Sequence, residues 1–298
     1  MKNPQPSRDM EDFLDDGRIS RILEEAIIED IGTGDVTTDA TVPPGDLGQA
    51  TVLLKETGVV SGLQIMAAVF AIIDPAVEFQ ALVEDGAEYS VGTKLATLHG
   101  PLASILKGER TALNIVQRMS GISTLTNRFV KAVGGTRAKI TDTRKTVPGF
   151  RLLDKLAVKI GGGVNHRFGL DDMVLIKDNH IEAAGSVSRA LERTIAYLKV
   201  HHSQLKIEIE TKNIAEVEEA LQFPAVNRIM LDNFRVDEMK KAVDLIRGRV
   251  EVEASGNVSM ETVRPIAETG VDLISIGALT HSPKALDISL KISSASKR

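Results

Sequence analysis

Residues 206–210 read KIEIE, residues 250–254 read VEVEA, and these two runs decide the fold. Successive side chains of a β-strand point to opposite faces, so the first run has isoleucines on one face and Glu208 and Glu210 on the other. The second run repeats this pattern with valines and glutamates. A doubly wound parallel sheet is apolar on both faces, whereas acids on one face predict a barrel whose lumen opens into a polar site.

Similar candidate strands recur along the second half of the chain, and helical patterns such as GSVSRALERTIAYL (185–198) separate them. This alternation predicts parallel strands joined by crossover helices. The strand–helix units cover about 160 residues, fewer than the roughly 250 of a complete eight-unit barrel, so we expect an incomplete (β/α) barrel. The candidate strands are AKITD (138–142), MVLIK (173–177), KIEIE (206–210), NRIML (227–231), VEVEA (250–254) and DLISI (272–276).

The first part of the chain has a different, mixed α/β pattern. RISRILEEAIIEDIG (18–32) is an amphipathic helix that ends at a glycine, and short β-rich runs follow it. A helical stretch from about residue 102 to 132 comes next. We therefore expect an α/β protein with an N-terminal α/β sandwich-like domain at 1–117 and the incomplete barrel at 118–280. We expect residues 281–298 to pack back on the first domain.

Composition excludes several classes of function. The chain of 298 residues has no Cys and no Trp, which excludes disulfides, thiolate metal sites and a Cys nucleophile. The start of the sequence has no apolar signal region, and no apolar run approaches the roughly 18 residues of a membrane span. We therefore expect a cytoplasmic protein that does not enter a membrane.

The charge is unevenly distributed along the chain. The net charge is −5, but residues 137–177 contain nine Lys or Arg and four Asp, which gives that segment +5 and the remainder −10. A local basic segment on an acidic protein predicts a small polyanionic ligand. It argues against nucleic acid, which requires an extended basic face and, for single strands, aromatic platforms.

Reactive residues of barrel enzymes lie at the carboxyl ends of the strands and in the loops that follow them. Cations come first there, and Arg forks bind carboxylates in a bidentate manner. Two carboxylates follow, which suit ribose hydroxyls or Mg²⁺. Small residues in the last two loops suit a phosphate. In order, these candidates are Thr143, Arg144, Lys145, His166, Arg167, Lys177, Glu210, Asp232, Ser255, Gly256, Asn257, Gly277 and Ala278.

Each group also has a simpler interpretation. Any single cation is better explained as solvated surface, and Glu210 and Asp232 are equally well explained as structural acids that pair with Arg or Lys. Lys177 fits a Schiff-base lysine of a barrel aldolase, although nothing near it predicts the desolvation that such a lysine needs. GTGD (32–35) lacks the strand–helix context of a dinucleotide site.

Several segments together resemble the quinolinate phosphoribosyltransferase family. The resemblance runs from about residue 20 to 290, and its central block of 41 residues is too long for chance. The segments are EDIGTGDVTTDA (29–40), GERTALNIVQRMSGIS (108–123), TDTRKTVPGFRLLDKLAVKIGGGVNHRFGLDDMVLIKDNHI (141–181), IEIETKN (207–213), IMLDNF (229–234), VEASGNV (252–258) and ISIGALTHS (274–282).

The resemblance implies transfer of phosphoribose from 5-phosphoribosyl 1-pyrophosphate to quinolinate. The expected products are nicotinate mononucleotide, pyrophosphate and CO₂, as in NAD biosynthesis. It implies Mg²⁺ as the cofactor and a homodimer or hexamer of dimers in which Arg110 enters the neighbouring subunit's site. It also implies the α/β domain followed by an incomplete barrel.

The resemblance further implies a role for each site residue. Thr143, Arg144, His166, Arg167 and Lys177, with Arg110 from the partner subunit, would bind the quinolinate carboxylates. Lys145 would contact the pyrophosphate, while Glu210 and Asp232 would bind ribose hydroxyls and the metal ion. The 5-phosphate would lie against Ser255, Gly256, Asn257, Ile276, Gly277 and Ala278, with His281 assisting.

The sequence departs from the family pattern at Leu156, where many members have Tyr, and at Asn257, where many have a second Gly. Neither departure changes the expectation. The alternatives are the homologue encoded with molybdate transporters, a non-catalytic phosphosugar-binding barrel and a barrel aldolase. The complete TRK, NHR and KDNH set favours the quinolinate enzyme.

Overall fold

The structure is a computed structural model that describes residues 17–293. Helices and strands alternate through most of this range. The helices are α1 (Gly17–Ile31), α2 (Val36–Thr41), α3 (Leu63–Ile73), α4 (Leu102–Ala132), α5 (Arg151–Ile160), α6 (Asp178–Ala184), α7 (Val187–Val200), α8 (Ile214–Ala220), α9 (Val236–Ile246), α10 (Val263–Glu268) and α11 (Ala278–His281). The strands are β1 (Leu47–Leu54), β2 (Gly58–Val59), β3 (Glu78–Ala81), β4 (Glu88–Tyr89), β5 (Lys94–Pro101), β6 (Lys139–Thr141), β7 (Val174–Ile176), β8 (Ile207–Thr211), β9 (Val226–Asp232), β10 (Glu251–Ser255), β11 (Leu273–Ser275) and β12 (Ile288–Ser293).

The chain forms two compact units. The described part of the first, here called the N-terminal unit, comprises residues 17–127, 146–162 and 279–293; the second, the barrel unit, comprises 128–145 and 163–278. The predicted domain ranges stay predictions, and residues 1–16 and 294–298 of those ranges lie outside the described part of the chain. Helix α5 belongs to the N-terminal unit, although its sequence lies between two strands of the barrel unit.

The N-terminal unit is built on an antiparallel sheet with strand order β12-β1-β5-β3. The last described strand, β12, pairs with β1 from Gln49↔Ser293 to Leu54↔Ile288. The apolar helix α3 packs near β3, where the rings of Phe70 and Phe79 stack with centroids 6.5 Å apart. Burial of these side chains removes apolar surface from water and holds the helix on the sheet.

Helix α4 is held to α5 by a buried ion pair. Arg118 Nε and Nη2 donate to the two oxygens of Asp154, each at 2.8 Å, and Nη2 also donates to the carbonyl of Thr280. The Asp154 side chain is 1% exposed. A bidentate pair of this kind fixes the relative orientation of the two helices and of the segment that leads to His281.

The barrel unit contains a parallel sheet with strand order β6-β11-β10-β9-β8-β7. Strands β6 and β7 are consecutive in the chain but lie at opposite edges of the sheet, so the barrel does not close. Neighbouring helices from α6 to α10 pack side by side along the connections. The predicted fold class, an N-terminal α/β unit followed by an incomplete (β/α) barrel, is confirmed.

The register explains the alternating runs that decide the fold. Glu208 lies opposite Arg228 of β9, and Arg228 lies opposite Glu251 of β10. Ile207 and Ile209, on the other face of β8, are 2% and 0% exposed. The face of β8 with Ile207 and Ile209 is therefore apolar, and the face toward the lumen carries Glu208 next to Arg228.

Among the described residues, no helix combines the length and the apolar character that crossing a membrane requires.

Candidate active site

The carboxyl ends of the parallel strands meet at one edge of the barrel sheet, and most of the predicted site residues lie along it. His166 and Arg167 follow Val164, which forms a bridge to Thr141 at the end of β6. The other residues at this edge are Thr143, Arg144 and Lys145 after β6, Lys177 after β7, Glu210 in β8, Asp232 in β9, Ser255, Gly256 and Asn257 at the end of β10, and Ile276, Gly277 and Ala278 after β11.

Two arginines form the cationic part of this edge. Arg144 lies close enough to Arg167 that burial and the charge of Arg144 together lower the pKa of Arg167. Within the described residues, the Nε atoms of both side chains are buried and have no hydrogen-bond partner. Arg167 Nη1 donates to the carbonyl of Met173 at 3.0 Å. Two adjacent cations with unused buried donors are suited to a dianionic ligand.

Asp142 fixes the loop that carries His166 and Arg167. Its carboxylate is fully buried and accepts hydrogen bonds from Asn165 Nδ2 at 2.6 Å and from the backbone N–H of His166 at 2.9 Å. Asp142 is not among the site residues predicted from the sequence. Its position directly after a predicted strand, next to Thr143 and Arg144, was the signal that could have identified it.

His166 points into a buried ionic cluster below the edge. Its Nε2 lies 3.1 Å from Glu208 Oε2 and 3.3 Å from Glu253 Oε2. Its Nδ1 lies 2.8 Å from the backbone nitrogen of Arg167. Burial opposes the charged imidazole, but the hydrogen bonds and negative charges of the two glutamates outweigh this and raise the pKa of His166 to about 9.

Arg228 completes the cluster from the opposite side. Its Nη1 lies 3.5 Å from Glu208 Oε2 and 3.2 Å from Glu253 Oε2, and its Nη2 lies 3.0 Å from Glu251 Oε2. His166, Glu208 and Glu253 also have the donor types and spacing of a metal site. Because a guanidinium and an imidazolium already neutralise both carboxylates, the cluster needs no metal ion for charge balance.

Lys177 and Glu210 form an ion pair between β7 and β8, with Nζ and Oε2 3.2 Å apart. The Lys177 side chain is 47% exposed. A side chain that is half exposed lacks the desolvation that a Schiff-base lysine requires. The pair therefore argues against the aldolase interpretation.

Glu210 and Asp232 offer two carboxylates from neighbouring strands. Glu210 lies opposite Met230, two residues before Asp232, so both carboxylates belong to the same face of the sheet. Mg²⁺ uses one or two carboxylates together with substrate phosphates. This pair fits such an ion.

Hydrogen bonds of Asn233 connect the loop after β9 to the loop after β10. Its backbone N–H donates to the carbonyl of Ser255 at 2.8 Å, and its Oδ1 accepts from Asn257 Nδ2 at 3.0 Å. Asn233, Gly256 and Asn257 all have positive φ, and a Cβ on Gly256 would lie 2.2 Å from Asn233 Oδ1. Asn233 directly follows Asp232 at a strand end that the sequence identifies, but the sequence gives it no role of its own.

The last part of the edge is the turn after β11. The backbone N–H of the buried Ile276 donates to the carbonyl of Thr141 at 3.0 Å, which ties this turn to the end of β6. Gly277 follows, and Ala278 begins α11. The turn thus presents small residues beside the loop of Ser255 and Gly256, because β10 and β11 are neighbours.

Two predicted site residues lie in the N-terminal unit. Arg110 is exposed on α4. His281 ends α11, where its Nδ1 lies 2.5 Å from Ser282 Oγ. The roles of Arg110 and His281 stay predictions.

Comparison with known proteins identifies the family. The model of the quinolinate phosphoribosyl transferase C-terminal domain matches residues 122–291, and that of the N-terminal domain matches residues 35–120. A quinolinate phosphoribosyltransferase [decarboxylating] of Nicotiana tabacum is 49% identical over 286 residues, which cover 91% of this chain and 81% of that protein.

Further relatives agree. A chloroplastic nicotinate-nucleotide pyrophosphorylase [carboxylating] of Arabidopsis thaliana is 46% identical over 289 residues, which cover 92% of this chain and 82% of that protein. The crystal structure of NadC from Streptococcus pyogenes is 38% identical and superposes with a TM-score of 0.89 over 96% of this chain and 99% of that one. Two family models that together span most of the chain, and relatives of this identity, show that the chain belongs to the quinolinate phosphoribosyltransferase family.

Proposed function

We propose that this protein transfers phosphoribose from 5-phosphoribosyl 1-pyrophosphate to quinolinate and releases pyrophosphate and CO₂, forming nicotinate mononucleotide for NAD biosynthesis. The observation that carries the proposal is the pair of Arg144 and Arg167, whose buried Nε atoms have no partner within the described residues. Quinolinate carries two adjacent carboxylates, which match two adjacent guanidinium forks.

The quinolinate pocket is assigned to the cations of the carboxyl edge. Fixed positive charges hold the pyridine ring so that its nitrogen faces C1 of the ribose, and much of the rate enhancement then comes from positioning. His166 contributes through its ring edge, since both of its nitrogens have protein partners. The pocket residues are Thr143, Arg144, His166, Arg167 and Lys177, with Arg110 from a neighbouring subunit.

The phosphoribosyl group is assigned to the acids and to the last two loops. Glu210 and Asp232 bind the ribose hydroxyls and hold Mg²⁺, which supplies positive charge to the pyrophosphate when it is bound. Lys145 stabilises the same leaving group. The 5-phosphate lies against backbone N–H groups of the loops that the Asn233 contacts hold in place, with Ser255, Gly256, Asn257, Ile276, Gly277, Ala278 and His281 around it.

The order of bond changes follows from charge. The ring nitrogen forms a bond to C1 while the C1–O bond breaks and its electron pair leaves with pyrophosphate. The alkylated ring is then cationic and accepts the electron pair of the bond to the adjacent carboxylate, which leaves as CO₂, and a solvent proton replaces it on the ring carbon. This step requires no strong general base.

An assay with alternative pyridines tests the proposal. The protein is incubated with 5-phosphoribosyl 1-pyrophosphate, Mg²⁺ and either quinolinate or nicotinate, and nicotinate mononucleotide is measured by chromatography. We expect product from quinolinate, and loss of turnover when a chelator removes the metal ion. Product from nicotinate alone contradicts the carboxylating assignment.

We also propose a homodimer, or a hexamer of dimers, in which Arg110 acts in the neighbouring subunit. Its exposure on α4 leaves it free to reach another chain. Arg110→Ala and Lys145→Ala should each abolish activity, and mixing the two variants should restore part of it. Demonstrated mixed dimers without recovered activity contradict the shared site.

A cytoplasmic location is proposed from the absence of cysteine, which suits a reducing compartment. Several plant relatives are named as mitochondrial or chloroplastic proteins, as for one from Nicotiana tabacum. Cell fractionation with an antibody against the protein distinguishes these locations.

A further inference from the structure

His166, Glu208, Glu253 and Arg228 form a buried cluster below the proposed quinolinate pocket. A contribution to stability alone does not explain this cluster. Glu208 and Glu253 are both 0% exposed, come from strands that are not neighbours, and direct their Oε2 atoms at the same imidazole nitrogen of His166. Like charges this close, away from water, are costly. Apolar side chains would fill the lumen at lower cost, so the cluster requires another explanation.

The contacts of this cluster converge on the ring of His166. Arg228 Nη1 contacts both Oε2 atoms, so each carboxylate has the imidazole on one side and the guanidinium on the other. Within the described residues, the buried Oε1 atoms of Glu208 and Glu253 have no hydrogen-bond partner. The contacts of Glu208 and Glu253 are therefore concentrated on their Oε2 atoms, which contact the imidazole ring of His166.

The other side of the ring leads to the substrate pocket. His166 Nδ1 contacts the backbone nitrogen of Arg167 at 2.8 Å, and Asp142 accepts the backbone N–H of His166 itself. A ring held at Nε2 thus orients the backbone from which the Arg167 side chain extends. Through either glutamate, the path from Arg228 to Arg167 has three consecutive contacts, each with a distance of 3.5 Å or less.

We propose that Glu253 and Arg228 are positioning residues for quinolinate, which act by holding the His166 ring and through it the Arg167 backbone. The inference rests on the proposed binding of quinolinate by His166 and Arg167. It predicts a selective effect: affinity for quinolinate depends on the cluster, whereas affinity for 5-phosphoribosyl 1-pyrophosphate does not. A purely structural role would alter both affinities alike or reduce only the amount of active enzyme.

The first test replaces Glu253 by Gln in the full chain, which keeps its size and removes its charge. We expect the KM for quinolinate to rise about tenfold, the loss of one charge-assisted hydrogen bond. The KM for 5-phosphoribosyl 1-pyrophosphate should change less than about twofold, within ordinary additivity error. Glu251→Gln is the matched control, because Glu251 is on the same strand and contacts the same arginine, but its side chain is 49% exposed and the ion pairs of His166 are with Glu208 and Glu253.

The second test asks whether Glu253 acts through His166. In an enzyme that already carries His166→Ala, Glu253→Gln should change the KM for quinolinate by less than about twofold, because coupled residues are non-additive. Arg228→Lys gives an independent measurement if Glu253→Gln does not fold, since lysine keeps the charge but loses the planar fork with which Arg228 contacts three glutamates. It should also raise the KM for quinolinate selectively.

The outcomes separate the inference from the proposed function. An equal rise in both KM values, or full additivity of Glu253→Gln with His166→Ala, overturns the positioning role while the function stands. A wild-type protein without turnover of quinolinate overturns the proposed function and this inference with it. A His166→Ala enzyme with unchanged KM for quinolinate rejects the binding role of His166, and the positioning role with it.

Discussion

At this site, the contacts that a residue makes indicate its role better than its residue type does. Arg144 and Arg228 are both arginines in the barrel unit, but Arg228 contacts three glutamates, whereas Arg144 Nε has no partner within the described residues. A guanidinium with satisfied neighbours holds structure together, and one with unused buried donors is available to a ligand. Sequence alone does not distinguish these two arginines, because the distinction depends on strands far apart in the chain.

Replacement of the pocket arginines by lysine tests the available donors. We expect Arg144→Lys and Arg167→Lys each to raise the KM for quinolinate by about 10- to 100-fold, because lysine keeps the charge but loses the planar fork. Steady-state kinetics at saturating 5-phosphoribosyl 1-pyrophosphate measures this. Arg264→Lys, which alters an exposed ion pair with Glu268, is the control and should leave both KM values unchanged. Unchanged kinetics in both pocket variants contradicts the assignment.

Protonation of His166 predicts a pH dependence of stability. Its pKa rises from 6.5 to about 9 in the folded protein because Glu208 and Glu253 face it. A raised folded-state pKa contributes stability that is complete below pH 6.5 and is lost as the pH rises through about 9, and the full contribution is at most a few kcal/mol. The difference in Tm between wild type and His166→Gln should therefore shrink between pH 6.5 and 10. A difference that stays constant over this range contradicts the charged imidazole.

At the scale of elements, the strands and helices could be predicted from the sequence, but the contacts between the loops that connect them could not. Alternation in KIEIE and VEVEA correctly predicted strands with acids on one face, and helix α4 covers the predicted range 102–132. The contacts of Asn233 with Ser255 and Asn257 depend on two loops that meet only when β9 and β10 pair. No local pattern contains this information.

Gly256 is the residue on which the paired loops depend. A Cβ there would lie 2.2 Å from Asn233 Oδ1 at a φ of +96°, so Gly256→Ala should displace the loop. We expect kcat/KM for 5-phosphoribosyl 1-pyrophosphate to fall at least about tenfold while direct binding of quinolinate, measured by calorimetry, persists. Gly248→Ala is matched, because Gly248 has a φ of +73° and open space around its Cβ position. An equal kinetic effect of both variants would show strain alone to be responsible.

The ion pair between Arg118 of α4 and Asp154 of α5 is predicted to stabilise the fold without affecting catalysis. Asp154→Asn leaves Arg118 without its charged partner, and breaking a buried pair costs about 3–5 kcal/mol. We expect a clear drop in Tm with KM values unchanged. Asp244→Asn, which removes an exposed pair with Lys240, should cost no more than about 0.5 kcal/mol. Equal changes in Tm for both variants contradict the buried role of Asp154.

At the scale of the whole molecule, the incomplete barrel was predictable because strand number and strand chemistry are local properties of the sequence. The distribution of the chain between units was harder to predict. Helix α5 has an ordinary amphipathic pattern between two barrel strands, yet it belongs to the N-terminal unit, where Arg118 holds it. The location of α5 depends on a pairing between side chains that are far apart in the sequence. The periodicity of a helix does not predict such a pairing.

The function of the whole molecule depends on coupling phosphoribosyl transfer to decarboxylation. The most direct test supplies quinolinate labelled in the carboxylate next to the ring nitrogen, together with 5-phosphoribosyl 1-pyrophosphate and Mg²⁺. It measures labelled CO₂ and nicotinate mononucleotide in the same reaction. The account predicts equal amounts of the two products, formed only when both substrates are present. Nucleotide that retains the label, or the absence of both products, would contradict it.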